Sequence, residues 1–361
     1  MSDARMSGRL NRDFASSRQP YVFRGFHISN AFAAARSHFQ RLAIFTSAST
    51  AEKKRPLLDT LRSNGVEVII GDLNNDEEVQ KAFSGTPYNI EQSWNVADSS
   101  NKGFDTLISA LGRNALHLQP DLMDIFASLP KLTSAHPRRF YPSEYGTDIG
   151  YDPITSPHEK PHQNKLKVRA HVESLAKEGK IEFTYIVTGP FLDTLFIKRV
   201  GGRSGYDKTE GVYGIIGPED AKKQEVISGT TYKDTARFVL SSLLTPEASV
   251  NATLRVSSID SKPAEMLDTL QKVEGKPVKA RYTSLDDFKR IEHEDWEKDP
   301  SGATVYTLSR IWYEGGSDFT RKPRALYQRN GLKVEDKALE SQLFQDVPRR
   351  NLEEVMRELL L

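Results

Sequence analysis

Small and polar residues recur at the ends of several apolar runs, in a pattern that suits binding of a phosphorylated ligand. These run ends are Thr46 and Ser47, Gly71 and Asp72, Ser109–Gly112, Pro142–Gly146, and Thr188–Phe191. If the runs are parallel strands, their carboxyl ends meet at one edge of a sheet, where such sheets bind ligands. Glycines there let a flat or phosphorylated molecule approach the backbone. The pattern favours a nucleotide site; ordinary strand-to-helix turns are the alternative.

Lys165 is a candidate for proton transfer because of where a predicted helix, from about Asn164 to Lys177, would place it. At 100° per residue, the apolar face of this helix centres about 35° from Lys165, whereas Lys167 points about 125° away from that face. The face is formed by Val168, Val172, Leu175 and Ala176. Partial burial beside strand ends would favour the neutral amine, which suits proton transfer. The alternative is a lysine whose stem only covers apolar surface.

The segment His158–His162 matches the zinc-binding pattern His-Glu-x-x-His. That pattern works because both histidines lie on one face of a helix. Pro161 lacks a backbone N–H and disfavours helical geometry at Lys160, and Pro157 directly precedes the pattern. We therefore expect a loop here and no metal site.

Strands that alternate with helices must position these groups. Between residues 41 and 190, apolar runs alternate with amphipathic helical segments. The predicted strands are Leu42–Phe45, Val66–Ile70, Thr106–Leu111, Arg139–Pro142 and Ile181–Val187. Such alternation, with helices of about 10–15 residues, predicts βαβ units and a parallel sheet in an α/β protein.

Beyond Pro190 the pattern is looser and predicts a smaller, mixed α/β lobe over residues 191–361. Its predicted elements are helices over Phe191–Val200 and after Thr231, strands Ala252–Ser257 and Val278–Thr283, and a last helix with Leu352, Val355, Met356, Leu359 and Leu360 on one face. We expect this lobe to close over the strand ends and to bind substrate.

Composition narrows the class of protein. The length of 361 residues predicts two domains, or one domain with a large lobe. Lys+Arg is 50 and Asp+Glu is 49, and the net charge of +1 argues against a nucleic-acid or membrane-surface partner. The lack of cysteine excludes disulfides, cysteine-ligated metal centres and thiol catalysis. No apolar run approaches about 18 residues, so no membrane-spanning segment is expected. We expect a cytoplasmic protein whose partner is a small molecule. The oligomeric state is not predicted.

Residues 1–40 are predicted to be an irregular basic leader before the α/β domain of residues 41–190. Residues 1–41 contain seven arginines, at positions 5, 9, 12, 18, 24, 36 and 41, but only two acids. A mitochondrial transit peptide has a similar composition, and targeting is therefore the alternative to a leader without function.

Five segments resemble the NmrA-like / isoflavone reductase-like branch of the atypical short-chain dehydrogenases. They are Gly65–Asp72, Phe104–Gly112, Arg139–Gly146, Lys165–Arg169 and Thr184–Phe191. The most specific part, Arg138–Gly146, is similar to the family's strand end RF-x-PSE-[FY]-G, and the resemblance covers roughly residues 41–290. It implies a Rossmann-like, doubly wound parallel sheet, NADP(H) in preference to NAD(H), and hydride transfer to a small aromatic or polyketide-like substrate, in a setting such as secondary metabolism.

The resemblance also implies roles for individual residues. Lys165 matches the lysine that serves this family in place of a Tyr-x-x-x-Lys pair, a spacing that this chain lacks. Ser143, Tyr145 and Phe191 are predicted substrate contacts, although Ser143 and Tyr145 could instead cap a turn, and Glu144 could pair with a lysine. The predicted cofactor contacts are Thr46, Ser47, Lys53, Lys54, Asp72, Ser109, Gly112, Gly189 and Pro190.

The sequence departs from the family at three places. The family's first strand ends in a G-x-x-G-x-x-G turn that brings backbone N–H groups to the pyrophosphate, yet residues 1–41 contain only Gly8 and Gly25. The family's arginine for the 2′-phosphate is replaced by Thr46 and Ser47, so Lys53 and Lys54 are either its substitutes or a solvated helix start. Residues 86–102 are a polar insertion and are predicted to form an exposed loop.

These observations predict an NAD(P)H-dependent oxidoreductase of this type. The alternatives are a non-catalytic regulator that binds a dinucleotide and a degenerate member that binds none. Phosphate hydrogen bonds are worth roughly 1.5–3 kcal/mol each, and the missing glycine turn predicts the loss of two or three of them. Weak cofactor binding is therefore expected unless other groups hold the pyrophosphate.

Overall fold

The computed structural model of the chain describes residues 24–85, 103–130, 137–300, 302–321, 328–329, 332–333 and 344–361. Residues 1–23 of the predicted leader and the predicted insertion 86–102 lie outside these ranges. The strands are β1 (Ala43–Thr46), β2 (Glu67–Ile70), β3 (Thr106–Ile108), β4 (Arg138–Tyr141), β5 (Ile181–Val187), β6 (Gly205–Asp207), β7 (Val212–Ile216), β8 (Ile227–Gly229), β9 (Ala252–Arg255), β10 (Ile259–Ser261), β11 (Lys279–Thr283), β12 (Gln328–Arg329) and β13 (Leu332–Lys333).

The α-helices between them follow the same order. They are α1 (Arg24–Ala34), α2 (Ala48–Lys53), α3 (Arg55–Ser63), α4 (Asp76–Ser84), α5 (Gln119–Ser128), α6 (Gln163–Lys177), α7 (Leu192–Leu195), α8 (Tyr232–Leu244), α9 (Pro246–Ser249), α10 (Pro263–Glu274), α11 (Leu285–Lys298), α12 (Thr304–Ile311) and α13 (Leu352–Leu360). Among the described helices, none has the length and apolar character needed to cross a membrane.

Six strands form the parallel framework that the alternating pattern predicts. β1 pairs with β2, while β3, β4, β5 and β9 lie in that order in a second sheet, and every one of these pairings is parallel. In the described parts of the chain no strand pairing joins the two sheets. Phe45 of β1 and Leu107 of β3 nevertheless pack against the same apolar cluster. The prediction of parallel strands is confirmed.

Helices cover both faces of the four-stranded sheet, because successive side chains of a strand point to opposite faces. Phe140 of β4 shares an apolar cluster with Met123 of α5 and Val172 of α6. Its neighbour Tyr141 lies in a different cluster, to which α1 contributes Ile28 and α8 contributes Val239. This layering is the doubly wound arrangement expected from the sequence.

Residues 24–38 correct the prediction of an irregular leader. They form α1 and a short 3-10 turn, Arg36–His38. Ile28 and Phe32 are 6% and 3% exposed and belong to the cluster that α8 also lines. Because residues four apart lie on one face of a helix, this pair anchors α1. The arginine-rich composition predicted a leader, whereas the four-residue spacing of Ile28 and Phe32 is that of a packed helix.

Two predicted elements are shorter than expected. β3 ends at Ile108 rather than Leu111, because the chain leaves the sheet after the Ser109 N–H donates to the Tyr141 carbonyl at 2.8 Å. The helix predicted over Phe191–Val200 is reduced to α7, because the chain becomes extended beyond it, where Ile197 forms a β-bridge with Tyr206.

The C-terminal part is the mixed α/β lobe that the looser pattern predicts. β11, β7 and β6 form one sheet with a parallel and an antiparallel pairing, and β8 pairs antiparallel with β10. Leu270 of α10, Phe288 of α11 and Met356 of α13 belong to its apolar cluster. The predicted last helix is confirmed by α13. The domain limits 41–190 and 191–361 stay a prediction.

Candidate functional site

The carboxyl ends of β3, β4 and β5 are joined by hydrogen bonds into one edge. The Ser143 hydroxyl donates to the Leu111 carbonyl at 2.7 Å, which connects the ends of β4 and β3. The Gly146 carbonyl accepts from the N–H groups of Thr188 and Gly189 at 3.2 and 3.0 Å, which connects β4 to β5. The structure therefore brings Ser109, Ser143 and Gly189 to one edge, as the parallel arrangement predicts.

The two glycines predicted as cofactor contacts at this edge differ in their surroundings. Gly189 has a φ of +63°, and an added Cβ would lie 2.0 Å from the backbone oxygen of Ser228. Packing against β8 therefore explains why a glycine is needed at this position. Around Gly112, by contrast, an added Cβ would meet no atom within 4 Å. Of these two predicted cofactor contacts, Gly112 is the one that faces open space.

The three predicted substrate contacts differ in exposure. Ser143 and Tyr145 are each 2% exposed. The N–H of Ser143 also donates to the buried Gln119 side chain at 2.8 Å, so both polar groups of Ser143 hold the turn, which is the alternative role left open for it. Phe191 is partly exposed, and its ring lies 4.7 Å from that of Tyr232. Phe191 is thus the one of the three that a substrate can reach in this conformation.

Lys165 lies in the first turn of α6 at the same edge. Its Nζ donates to the Glu144 carbonyl oxygen. An added Cβ on Gly146 would lie 3.5 Å from that Nζ. Lys165 is half-buried and Lys167 is exposed. The predicted orientation of the two lysines on the helix is therefore confirmed.

The Glu144 carboxylate binds Arg169 rather than a lysine, which corrects the suggested pairing. Its Oε1 accepts from Arg169 Nε at 2.9 Å and its Oε2 from Nη2 at 3.3 Å. The Glu144 and Arg169 side chains are only 1% and 3% exposed. The Arg169 guanidinium also lies 4.6 Å from the centre of the Tyr185 ring. The resemblance to the family included Arg169 in a motif, but sequence reasoning gave it no partner.

A second buried ion pair lies beside the first. The Arg255 Nε donates to Asp148 Oδ2 at 2.7 Å, and both side chains are 3% exposed. Burial alone would raise the pKa of Asp148, but Arg255 and then Arg169 outweigh it and hold that pKa below its usual value. The Glu144–Arg169 pair therefore has a second buried ion pair within electrostatic reach.

The His-Glu-x-x-His segment is a loop, as expected. His158 and His162 lie in separate 3-10 turns, Ser156–His158 and Lys160–His162. His162 is 1% exposed and its Nδ1 lies 3.0 Å from Ser156 Oγ. Burial, and then the positive charge of Lys165, lowers the pKa of His162 to about 4. In the described ranges, no group of three or more His, Asp or Glu residues could hold a metal ion.

The C-terminal lobe holds the segment that leads from the strand end to Lys165. Trp312 Nε1 donates to Thr147 Oγ1 at 2.7 Å. Arg310, on α12, donates to the Glu159 carboxylate at 2.8 and 2.9 Å. More than 150 residues separate each pair, so no local signal in the sequence could have identified these contacts.

The ends of β1 and β2 are occupied largely by local contacts. Ser47 caps α2 by accepting from the Thr50 N–H at 3.3 Å. Asp72 accepts from the backbone N–H and side chain of Asn74 at 2.9 and 2.8 Å, and chiefly the backbone bond lowers the pKa of Asp72. Lys53, in the last turn of α2, is exposed, and Lys54 and Thr46 are partly buried. Of the two lysines predicted to contact a phosphate, Lys53 is thus the more accessible.

The first turn of α1 reaches the end of β3. An added Cβ on Gly25 would lie 3.4 Å from the Ala110 Cβ, so this turn packs closely against the strand end. Next to Ala110, Ser109 is 6% exposed and its hydroxyl has no hydrogen-bond partner among the described residues. A helix N-terminus, an unsatisfied hydroxyl and the space at Gly112 suit a phosphorylated ligand. The first described turn of α1 therefore lies beside the end of β3, while residues before 24 lie outside the described ranges.

Comparisons with known proteins agree with this architecture. The model of the NmrA-like family matches residues 132–305. Isoflavone reductase of Glycine max is 26% identical over 202 residues, which are 51% of this chain and 55% of that protein. The chain thus aligns with about half the length of that relative.

Solved structures match over a larger part of the chain. The leucoanthocyanidin reductase–NADPH complex from Vitis vinifera has a TM-score of 0.65 at 16% identity and covers 93% of this chain and 96% of its own. AtPrR2 with NADP+ and (+)pinoresinol has a TM-score of 0.65 at 17% identity, covering 93% and 95%. These likenesses show the Rossmann-like fold. The chain is therefore similar to the NmrA-like family over residues 132–305 and to isoflavone reductase over about half of its length.

Proposed function

We propose that the chain is an NADP(H)-dependent reductase of a small aromatic substrate. The observation that carries this proposal is the half-buried Lys165, whose amine lies at the joined strand ends beside Gly146. A bound NADPH would supply the hydride. The Lys165 ammonium would donate the proton that the reduced substrate takes up, and its amine would then regain a proton from solvent. Proton transfer of this kind contributes typically about 10²–10⁴-fold to a rate.

The residues at the strand ends fit a dinucleotide in part. The first turn of α1, with the Ser109 hydroxyl and the space at Gly112, would hold the pyrophosphate side. Lys53 and Lys54 would hold a 2′-phosphate, which favours NADP(H) over NAD(H). The complexes of leucoanthocyanidin reductase with NADPH and of AtPrR2 with NADP+ support the same choice.

Aromatic side chains support an aromatic substrate. Phe191 and Tyr232 pack ring to ring at 4.7 Å, and His27 of α1 stacks on Tyr232 at 6.0 Å. All three are partly exposed, so a flat substrate could extend this row. The related reductases named above, for isoflavones and leucoanthocyanidins, support phenolic substrates of this kind. A role in secondary metabolism and a cytoplasmic location stay predictions.

A non-catalytic, dinucleotide-binding regulator is the second candidate. It is favoured by the sparse glycines, because Gly25 alone lies in the first turn of α1. The experiment is a titration of the purified chain with NADPH and NADH, followed by tryptophan fluorescence. NADPH oxidation is then measured with a panel of isoflavones, leucoanthocyanidins and pinoresinol.

The possible results separate the candidates. Saturable NADPH binding with turnover of a panel compound supports the reductase. Binding without turnover of any compound favours the regulator. Failure to bind either nucleotide at millimolar concentration contradicts both and favours the degenerate member.

A further inference from the structure

Glu144 contacts two different cations, one through its backbone carbonyl and one through its side-chain carboxylate. The Glu144 carbonyl oxygen accepts from Lys165 Nζ, and the Glu144 carboxylate accepts twice from Arg169. Lys165 and Arg169 are four residues apart on α6 and therefore lie on one face of it. Helix α6 thus contacts the chain after β4 at two points.

The Arg169 guanidinium is well suited to keep the carboxylate. Its planar fork binds both oxygens, and its face lies on the Tyr185 ring. A carboxylate held in this way is directed to Arg169. An ion pair with Glu144 would hold Lys165 in its charged form and oppose the release of its proton.

We propose that Arg169 is a positioning residue that holds the Glu144 carboxylate away from Lys165, so that this carboxylate does not capture the Lys165 ammonium. The inference rests on the proposed function for its consequence in turnover. The contacts of Arg169 and Lys165 with Glu144 do not depend on that function.

Other charged groups surround Lys165 and must be considered with it. His162 precedes it by one turn, and the Asp148–Arg255 pair lies within electrostatic reach of both His162 and Arg169. The 3-10 turn Arg113–Leu118 packs against α6 and carries Arg113 and His117. Apart from Arg255 in the control variant, these groups are unchanged in the variants below, so they contribute equally to each comparison.

The test is the titration of the Lys165 side chain in protein labelled with ¹³Cε-lysine, assigned by the loss of its resonance in Lys165→Met. Arg169→Met leaves the Glu144 carboxylate next to Lys165, so its midpoint should move to higher pH by about one unit or more. Glu144→Gln removes a negative charge close to Lys165, so the midpoint should move to lower pH. The double variant removes both charges and should return the midpoint close to that of the parent.

Removal of the two charges alone would also give opposite shifts, so the deciding comparison is the shift caused by Arg169→Met in the parent against the shift it causes in the Glu144→Gln background. Capture of the freed carboxylate makes the first shift the larger one. Equal shifts in the two backgrounds would show that Arg169 acts only through its own charge and would overturn the positioning role.

Should Arg169→Met fail to fold, Arg169→Lys takes its place: it keeps the positive charge but loses the planar fork, so a higher midpoint that disappears in the Glu144→Gln background comes from the freed carboxylate. Arg255→Met is the matched control: it breaks the neighbouring buried pair without freeing Glu144, so the shift it causes should be equal in the parent and in the Glu144→Gln background.

Turnover provides the second measurement. With a panel compound, Arg169→Met should lower kcat at neutral pH roughly tenfold, with the Kd for NADPH unchanged, and the double variant should recover most of it. The titration needs no substrate. A larger effect of Arg169→Met in the parent than in the Glu144→Gln background, without turnover of any compound, would therefore contradict the proposed function and leave the inference on Arg169 intact.

Discussion

Replacement of Gly189 by alanine should destabilise the fold more than the same replacement at Gly179. Both glycines have a left-handed φ, +63° and +68° respectively. An added Cβ at Gly189 would lie 2.0 Å from the Ser228 backbone oxygen, whereas one at Gly179 would meet no atom within 4 Å. Gly189→Ala therefore combines backbone strain with a steric clash against β8, and Gly179→Ala causes strain alone.

The two contributions have different sizes. A left-handed backbone costs an alanine about 1–2 kcal/mol, which is the loss expected for Gly179→Ala. At Gly189 the Ser228 carbonyl must also move by roughly 1 Å, and such overpacking costs about 1–3 kcal/mol more. The free energy of unfolding, measured by urea titration, should fall by about 2–5 kcal/mol in Gly189→Ala. Equal losses in the two variants would refute the reasoning, because φ alone would then explain both.

Three further predictions concern the site. Lys165→Met should lower turnover by about 10²–10⁴-fold with little change in NADPH affinity, while Lys167→Met should change neither because Lys167 is exposed; similar effects of the two on NADPH oxidation would contradict the assigned role. Burial lowers the pKa of His162 to about 4, so the unfolded chain binds this proton more readily than the folded chain between pH 6.5 and 4. The unfolding free energy should therefore fall by about 1.6 kcal/mol from pH 6.5 to 5 on account of this group. Urea titrations should show that His162→Gln loses this pH dependence and that the exposed His158→Gln keeps it; an equal pH dependence in the parent and both variants would exclude His162 as its source. Lys53→Met should weaken NADPH binding more than NADH binding in fluorescence titrations, whereas a loss of equal size for both would place Lys53 away from the 2′-phosphate.

Local sequence patterns determined the parallel framework and the orientation of Lys165. Apolar runs and amphipathic spacing depend on near neighbours, so the positions of β1, β2, β4, β5 and α6 could be predicted to within a few residues. The angle between Lys165 and Lys167 on α6 follows from helical geometry alone, and the structure buries the first and exposes the second. The basic composition of the N-terminal segment predicted an irregular leader, although the spacing of its apolar residues is that of a helix and the segment forms α1.

Only the tertiary structure decided which partners the charged and polar groups have. The sequence suggested a lysine as the partner of Glu144, but the choice of Arg169 for its carboxylate and Lys165 for its carbonyl depends on how α6 docks against the end of β4. The contacts of Thr147 with Trp312 and of Glu159 with Arg310 join residues more than 150 positions apart. Local patterns carry no information on such pairings, because burial and distance are properties of the packed chain. For the same reason the sequence identified Gly189 as a cofactor contact, whereas packing shows that the backbone of Ser228 already requires a glycine there.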